Sequence, residues 1–325
     1  MTYLKFGIAV LLFGAAPFFL ASFHISLLTE ILILAIFALS LNILVGYTGL
    51  VSLGHAAFFG AGAYAAGLIG QHVSAEIITT LLGGVLVSFM LALVVGIFCM
   101  KVNGFYFLML TLAFSQMIYS FIYQSTTWTG GSNGLTGIPT PSLLGLELSN
   151  IVWVFYVTAI LFLLLYAGIS IFVKSPFGRV LVGIKENETR LKSMGYNTKI
   201  YRYVAFVISG TLGGLSGVLF TYFNGFIAPT NVYWTMSGTV LIMVLIGGAG
   251  TMIGPVLGAA LIVILETVIA TYTDMWMLLL GVIFIFFVIF LPEGIYGVWQ
   301  RSTRKWLKGK IPQPELKKVD REKVS

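Results

Sequence analysis

The chain has 325 residues, of which 58% are hydrophobic and 9% are charged, whereas soluble domains average about 45–50% apolar and about 25% charged residues. A soluble fold of this length cannot bury so much apolar surface, so the composition excludes an ordinary soluble enzyme or binding domain. The net charge of +7 would suit a nucleic-acid-binding protein, but the basic residues are collected in a few segments between apolar runs. We therefore interpret the charge as a mark of membrane topology.

Apolar runs long enough to cross a bilayer recur along the whole chain. A hydrocarbon core of about 30 Å needs about 20 apolar helical residues. Ten runs approach this length: 6–23, 27–46, 53–70, 77–100, 104–124, 150–173, 203–223, 235–249, 253–272 and 275–291. The first run also resembles a signal peptide, but its length and Pro17 favour a retained helix. The eighth is short and ends in glycines, which is typical of a broken or re-entrant element. The predicted fold class is an all-α polytopic integral membrane protein with about ten transmembrane helices.

The basic residues predict the orientation. With ten crossings and a cytoplasmic N-terminus, all 18 Lys and Arg residues fall on the inside: Lys5, Lys101, seven in 174–202 and nine in 301–325. Lys and Arg collect in cytoplasmic loops, so we predict that both termini are cytoplasmic. We divide the chain into a transmembrane domain, 1–300, which includes the cytoplasmic segment 174–202, and a basic cytoplasmic tail, 301–325.

Two glycine-rich segments interrupt the helical pattern, one in each half of the chain. Glycine at membrane depth indicates unwound or re-entrant backbone, which is tolerated only where it is buried in protein or lines a cavity. Interruptions in both halves are typical of transporters built from inverted repeats, so an inverted repeat stays open. We predict that a translocation pathway is lined by Gly46, Gly49, Ser52, Gly54, His55, Gly247, Gly248 and Gly250. His55 is either a structural hydrogen-bond partner or a substrate contact.

The segment 174–202 has the pattern of a short amphipathic helix. Ser175 is a predicted N-cap, Pro176 takes the first helical position, and Gly195 is a predicted C′ residue. The helix either lies on the lipid surface or docks on a cytosolic partner. For docking, we expect apolar residues to fill a groove and charged residues to lie at its rim. The candidate contacts are Phe177, Arg179, Ile184, Glu186, Glu188, Leu191 and Gly195, together with Leu181 and Met194.

No motif predicts chemistry carried out by the chain itself. The sequence contains no Gly-x-x-x-x-Gly-Lys-Ser/Thr phosphate loop, its three histidines are scattered, and Cys99 is its one cysteine. We expect no catalytic residue, cofactor or metal. Glu30 and Glu266 lie near the outer ends of their runs, whereas an ion-coupled carrier would more often bury such a residue deeply. An ion-coupled secondary transporter and a non-transporting scaffold stay open as alternatives.

Four stretches resemble the LivM-type permeases of branched-chain amino acid ABC importers. They are 38–60 (ALSLNILVGYTGLVSLGHAAFFG), 129–139 (TGGSNGLTGIP), 175–188 (SPFGR leading into KENE) and 246–255 (IGGAG followed by a Gly-Pro pair). The resemblance covers about residues 30–292. It implies a membrane-spanning permease domain in the bacterial inner membrane.

The resemblance also implies partners. These are a sister permease subunit, two cytosolic ATP-binding subunits and an external solute-binding protein, with 174–202 as the coupling element that docks on an ATPase. Many ABC permeases carry Glu-Ala-Ala followed by glycine at this element, whereas here Glu188 is followed by Thr189 and Arg190. The implied substrates are branched-chain or other hydrophobic amino acids. Relatives in the family are assigned to urea or short-chain amides, so an amide permease stays an alternative.

Overall fold

The protein is a bundle of helices. The computed structural model describes residue 7 and residues 13–143, 146–147, 150–273, 275–291 and 294–297. Residues 13–19 are helical and are called α1. The helices that follow are α2 (Ser22–Asn42), which continues as a π-helical segment (Ile43–Thr48), α3 (His55–His72), α4 (Ile77–Cys99), α5 (Phe105–Gln124), α6 (Thr126–Thr129), α7 (Ile151–Lys174), α8 (Pro176–Ser193), α9 (Thr198–Asn224), α10 (Trp234–Gly247), α11 (Gly254–Tyr272) and α12 (Trp276–Phe290). Two-residue strands, β1 (Ser142–Leu143) and β2 (Leu146–Glu147), pair antiparallel between α6 and α7.

Six helices in the described part of the chain are long and apolar enough to cross a membrane. They are Ser22–Thr48, Ile77–Cys99, Phe105–Gln124, Ile151–Lys174, Thr198–Asn224 and Gly254–Tyr272. Helix α10 is apolar but shorter, because glycines end it early. The helical membrane architecture predicted from the sequence is confirmed. The count of about ten crossings and the inverted repeat stay predictions.

Each predicted run after the first coincides with a helix to within five residues at either end. The largest differences are at the starts of α2 and α9, where the helix extends beyond the apolar run. Helical hydrogen bonding continues through polar residues, so hydropathy alone places these starts too late. The first predicted run, 6–23, lies partly outside the described residues, and a break at residues 20–21 separates α1 from α2.

Helix α2 forms the centre of the bundle. It packs against α7, α9, α10 and α11, and every residue of Ile31–Asn42 is buried. Beside it, small residues bring α3 and α9 together. A Cβ added to Gly62 would lie 2.2 Å from the Gly214 carbonyl oxygen, and one added to Gly217 would lie 1.9 Å from the Phe59 carbonyl oxygen. Only glycine permits so close an approach of two backbones, which is how membrane helices commonly pack.

Loop contacts divide the bundle into two ends. At one end, the guanidinium of Arg202 donates to Oδ1 of Asn103, so the start of α9 lies beside the α4–α5 turn. At the opposite end, Leu135 forms an antiparallel bridge with Ile227. The basic segment 174–202 therefore shares an end with the α4–α5 turn, as the charge distribution predicts. We call this the α8 end; that it faces the cytoplasm stays a prediction.

Candidate functional site

The two glycine-rich segments are breaks in the helices near the α8 end. The π-helical segment ends at Gly49, whose φ is +74°. Helix α10 ends at Gly248, with φ +117°, and Gly250 follows with φ +83°. Residues that carry a Cβ rarely adopt a positive φ. The interruptions predicted from the sequence are therefore present, and their conformation requires glycine at these three positions.

The two breaks touch each other. A Cβ added to Gly46 would lie 2.5 Å from the backbone nitrogen of Gly250, and one added to Gly250 would lie 3.0 Å from the Gly46 carbonyl oxygen. We call this contact between Gly46 and Gly250 the glycine crossing. It brings together parts of the chain that are about 200 residues apart in sequence. Both residues were predicted pathway positions.

The side chain of Asn42 clamps the crossing. Its Nδ2 donates to the carbonyl oxygen of Thr251 at 2.8 Å, and the Gly250 N–H donates to its Oδ1 at 2.9 Å. One amide thus satisfies a donor and an acceptor that the helix break leaves without helical partners. Asn42 was not among the predicted site residues, although a single amide inside the apolar run 31–45 is the kind of signal that marks a function or a buried network.

Helix α8 also reaches the crossing. Nζ of Lys185 donates to the carbonyl oxygen of Gly46 at 2.8 Å. A Cβ added to Gly49 would lie 3.2 Å from Cγ of Lys185, so the lysine stem lies directly over the first break. Gly294, four residues beyond the end of α12, closes the other side, since a Cβ on Gly294 would lie 2.5 Å from Cα of Gly248. Lys185 was not among the predicted site residues, because its sequence context is that of an ordinary surface lysine.

His55 is tied into a buried network at the start of α3. Its Nδ1 lies 3.3 Å from Oγ of Ser52, and its Nε2 lies 2.8 Å from Oγ of Ser209. The Ser209 hydroxyl donates to the Ser40 carbonyl oxygen, and the Ser52 hydroxyl accepts from the Gly54 N–H at 3.2 Å. Because the Ser209 proton is used on Ser40, Nε2 carries the proton that it donates to Ser209, and Nδ1 of the neutral ring can accept from the Ser52 hydroxyl. Both ring nitrogens are used inside the chain, which favours the structural role for His55 over a substrate contact.

The other two predicted glycines serve contacts between neighbouring elements. A Cβ added to Gly54 would lie 2.7 Å from the carbonyl oxygen of Thr111 in α5. One added to Gly247 would lie 1.9 Å from the carbonyl oxygen of Gly254, where α10 turns back into α11. The predicted pathway residues therefore divide between the glycine crossing, the network at His55 and these two close backbone contacts.

The predicted ends of α8 are confirmed. Oγ of Ser175 accepts from the Gly178 N–H at 3.3 Å, and Pro176 takes the first helical position. At the other end, Gly195 has φ +87°. The N–H of Gly195 donates to Lys192 O at 3.0 Å and that of Tyr196 donates to Leu191 O at 3.1 Å, the pair of bonds that defines a Schellman motif.

The middle of α8 differs from the expected single helix. Asn187 has φ −160° and ψ 92°, which is not helical. Its Oδ1 accepts from the Arg190 N–H at 2.9 Å, so it caps a second, short helical piece. Asparagine competes with the helix for backbone hydrogen bonds, which accounts for the break. The element is a pair of short helices joined at Asn187.

The apolar side of α8 packs on its own chain. Leu181 and Ile184 are 0% and 6% exposed, and the Phe177 ring lies 4.8 Å from the Tyr201 ring, centroid to centroid. The expectation that Leu181 and Ile184 fill a groove on a partner is therefore corrected: both are used to attach α8 to the bundle. The exposed side is mostly polar and includes Arg179, Lys185, Glu186 and Arg190, with Met194 at the end of the helix.

Glu188 connects α8 to α9. Its carboxylate accepts from Thr198 Oγ1 at 2.9 Å, pairs with Lys192 Nζ at 2.8 Å and lies 3.5 Å from Arg202 Nη1. Burial by itself raises the pKa of Glu188, but the hydrogen bonds from Lys192 and Thr198 and the charge of Arg202 outweigh it and lower the pKa. Arg202 in turn donates to Asn103. The predicted contact residue Glu188 is thus engaged inside the chain.

Comparison with known proteins places this architecture in a family. A family model described as the permease component of the branched-chain amino acid transport system matches residues 23–288. This span includes both glycine-rich segments, the glycine crossing and α8. The chain belongs to the branched-chain amino acid transport permease family.

Individual permease proteins are also similar in sequence to this chain. The high-affinity branched-chain amino acid transport system permease protein LivM of Salmonella typhimurium is 28% identical over 332 residues, which cover 95% of this chain and 77% of that protein. LivM of Escherichia coli K12 is 27% identical over 314 residues, covering 89% and 74%. The autoinducer 2 import system permease protein LsrC of Salmonella choleraesuis is 31% identical over 153 residues, covering 44% and 42%. No solved structure matches the chain.

Membership confirms the resemblance inferred from the glycine-rich and α8 motifs. Together with six helices suited to membrane crossing, it identifies this permease as a multi-pass membrane protein. The family match does not assign a role to any single residue. The pathway and coupling residues therefore stay predictions.

Proposed function

We propose that this permease is a subunit of an ATP-driven importer for branched-chain or other hydrophobic amino acids. In this proposal it forms the translocation pathway together with a sister permease subunit. The observation that carries the proposal is the position of α8, a helix with one side packed on the bundle and one polar side exposed, which contacts the glycine crossing through Lys185. A partner that moves α8 would thereby move the helix breaks.

ATP enters this scheme through partners, because the sequence contains no phosphate-binding loop. Two cytosolic ATP-binding subunits are proposed to bind the exposed residues of α8, among them Arg179, Glu186 and Arg190. An external solute-binding protein is proposed to dock at the opposite end, where no Lys or Arg is predicted to be available for a substrate carboxylate. Selectivity then resides mainly in the binding protein. In this proposal the α8 end and both termini lie on the cytoplasmic side of a bacterial inner membrane.

Reconstitution of the purified assembly tests the proposal. The chain is purified from its native membrane in mild detergent, the co-purifying subunits are identified, and leucine uptake into proteoliposomes is measured with and without ATP. We expect two ATP-binding subunits, a second permease and ATP-dependent leucine uptake that excess urea does not inhibit. Inhibition by urea would favour the amide alternative. Leucine uptake by this chain alone under an ion gradient would contradict the proposal.

A charge reversal tests the docking face. Arg190 is exposed on α8, so Arg190→Glu is expected to weaken association of the ATP-binding subunits without unfolding the permease. Lys101→Glu is a matched control, because Lys101 is exposed at the same end but lies in the α4–α5 turn. Equal ATPase recovery with both variants would remove α8 from the docking surface.

A further inference from the structure

Among the described residues, Lys185 is the one cation at the glycine crossing. Its Nζ donates to Gly46 O at 2.8 Å, and a Cβ added to Gly250 would lie 3.8 Å from the same nitrogen. The ammonium group thus lies beside both of the segments that cross. Its stem passes over Gly49, where the missing side chain leaves room for it.

The Gly46 carbonyl needs such a donor because of where the helix breaks. The last carbonyls of a helix have no partner within the helix and carry partial negative charge, which favours a cation. Two residues earlier, the Leu44 carbonyl accepts from the Leu50 N–H at 3.1 Å and from Thr48 Oγ1 at 2.6 Å. The Gly46 carbonyl instead accepts from a residue 139 positions away in sequence. The end of the first break is therefore completed by α8.

The contact has little slack. Hydrogen bonds from nitrogen to oxygen in proteins span about 2.7–3.2 Å, and the stem of Lys185 already lies along Gly49. The other end of α8 is held separately by Glu188, Thr198 and Arg202. A rotation of α8 about that attachment would draw Lys185 away from the crossing.

We propose that Lys185 is the positioning residue through which α8 acts on the translocation pathway. Its ammonium group ties Gly46, and with it the glycine crossing, to α8, so that a movement of α8 acts on the crossing through this bond. The proposal deepens the proposed function and rests on it, because it supplies the link between the ATPase-docking helix and the helix breaks.

The test compares Lys185→Met, Lys185→Arg and Lys101→Met. Methionine keeps the length of the stem and removes the charge, arginine keeps the charge, and Lys101 is an exposed lysine in the α4–α5 turn, outside the segment 174–202. Each variant is reconstituted as the complete assembly, and leucine uptake is measured per ATP hydrolysed. Amide hydrogen exchange of the permease is followed in parallel over residues 43–54 and 248–253.

We expect Lys185→Met to assemble and hydrolyse ATP but to lose about tenfold or more of its uptake per ATP, as removal of a charged hydrogen-bond partner implies. Exchange should accelerate in both segments, Lys185→Arg should recover most of the uptake, and Lys101→Met should behave as the unaltered protein. A normal uptake ratio in Lys185→Met overturns the proposal even if exchange accelerates, because the contact would then be structural only. If the unaltered assembly shows no ATP-driven uptake, the proposed function fails instead. Unchanged exchange in Lys185→Met would separately refute the role of the Lys185–Gly46 hydrogen bond in holding the two segments.

Discussion

Replacing Gly46 by alanine is the most direct test of the glycine crossing. The added Cβ would lie 2.1 Å from Asn42 Oδ1, 2.5 Å from Gly250 N and 2.8 Å from Gly250 Cα, whereas nonbonded carbon atoms are most stable at about 3.5–4.0 Å. The two segments must therefore separate by about 1 Å. That movement breaks both hydrogen bonds of the Asn42 clamp.

The magnitude follows from these contacts. Two hydrogen bonds of about 1 kcal/mol each are lost, and the remaining overpacking costs about 1–3 kcal/mol. Alanine also stabilises the folded state by at most about 1 kcal/mol, because it reduces the conformational entropy of the unfolded chain. The net loss of stability is about 2–5 kcal/mol, which lowers Tm by at least about 4 °C at about 2–4 °C per kcal/mol.

The assay is the Tm of the detergent-purified protein, measured as loss of the folded peak in size-exclusion chromatography after heating. Gly238→Ala is the control, because Gly238 lies in α10 and an added Cβ meets nothing within 4 Å. Alanine there should keep or raise Tm, since it is favoured over glycine inside helices. Equal Tm and equal uptake in the two variants would refute the crossing as a tight contact.

Three further predictions concern α8 and the topology. The partners of Glu188 lower its pKa below the ordinary value of 4.5, so their stabilising contribution is present above that pH and is lost as pH falls through the folded-state pKa. Protection of the α8–α9 junction from amide exchange, corrected for the intrinsic exchange rate, should therefore fall as pH is lowered below 4.5, and Glu188→Gln should abolish that dependence. Gly195→Val places a β-branched residue at φ +87°, which costs roughly 1 kcal/mol or more, and should lower recovery of the ATP-binding subunits while the protein stays inserted; full recovery would show that the C-terminal turn of α8 is not needed for docking. Single cysteines at Asn133 and Lys192, in a background without the buried Cys99, should react with impermeant reagents from opposite sides of the membrane, and reaction from the same side would mean that a crossing is miscounted between them.

The helices could be predicted from the sequence because they depend on local properties. An apolar run such as 77–100 coincides with α4 almost residue for residue, since backbone groups in lipid must be satisfied within the segment. The breaks at Gly49 and Gly248 were likewise visible, because glycine and its positive φ are local features. The caps of α8 at Ser175 and Gly195 follow from the same short-range rules.

Only the tertiary structure decided which residues meet. Nothing within a few residues of Asn42 or Lys185 indicates that they converge on Gly46 and Gly250, because these contacts span more than a hundred residues and depend on how α2, α8 and α11 pack. The amphipathic pattern of α8 showed that one side would be covered. The packing of α8 on its own chain buries Ile184. The periodicity of one helix shows that a side is buried but does not show whether a partner or the same chain buries it.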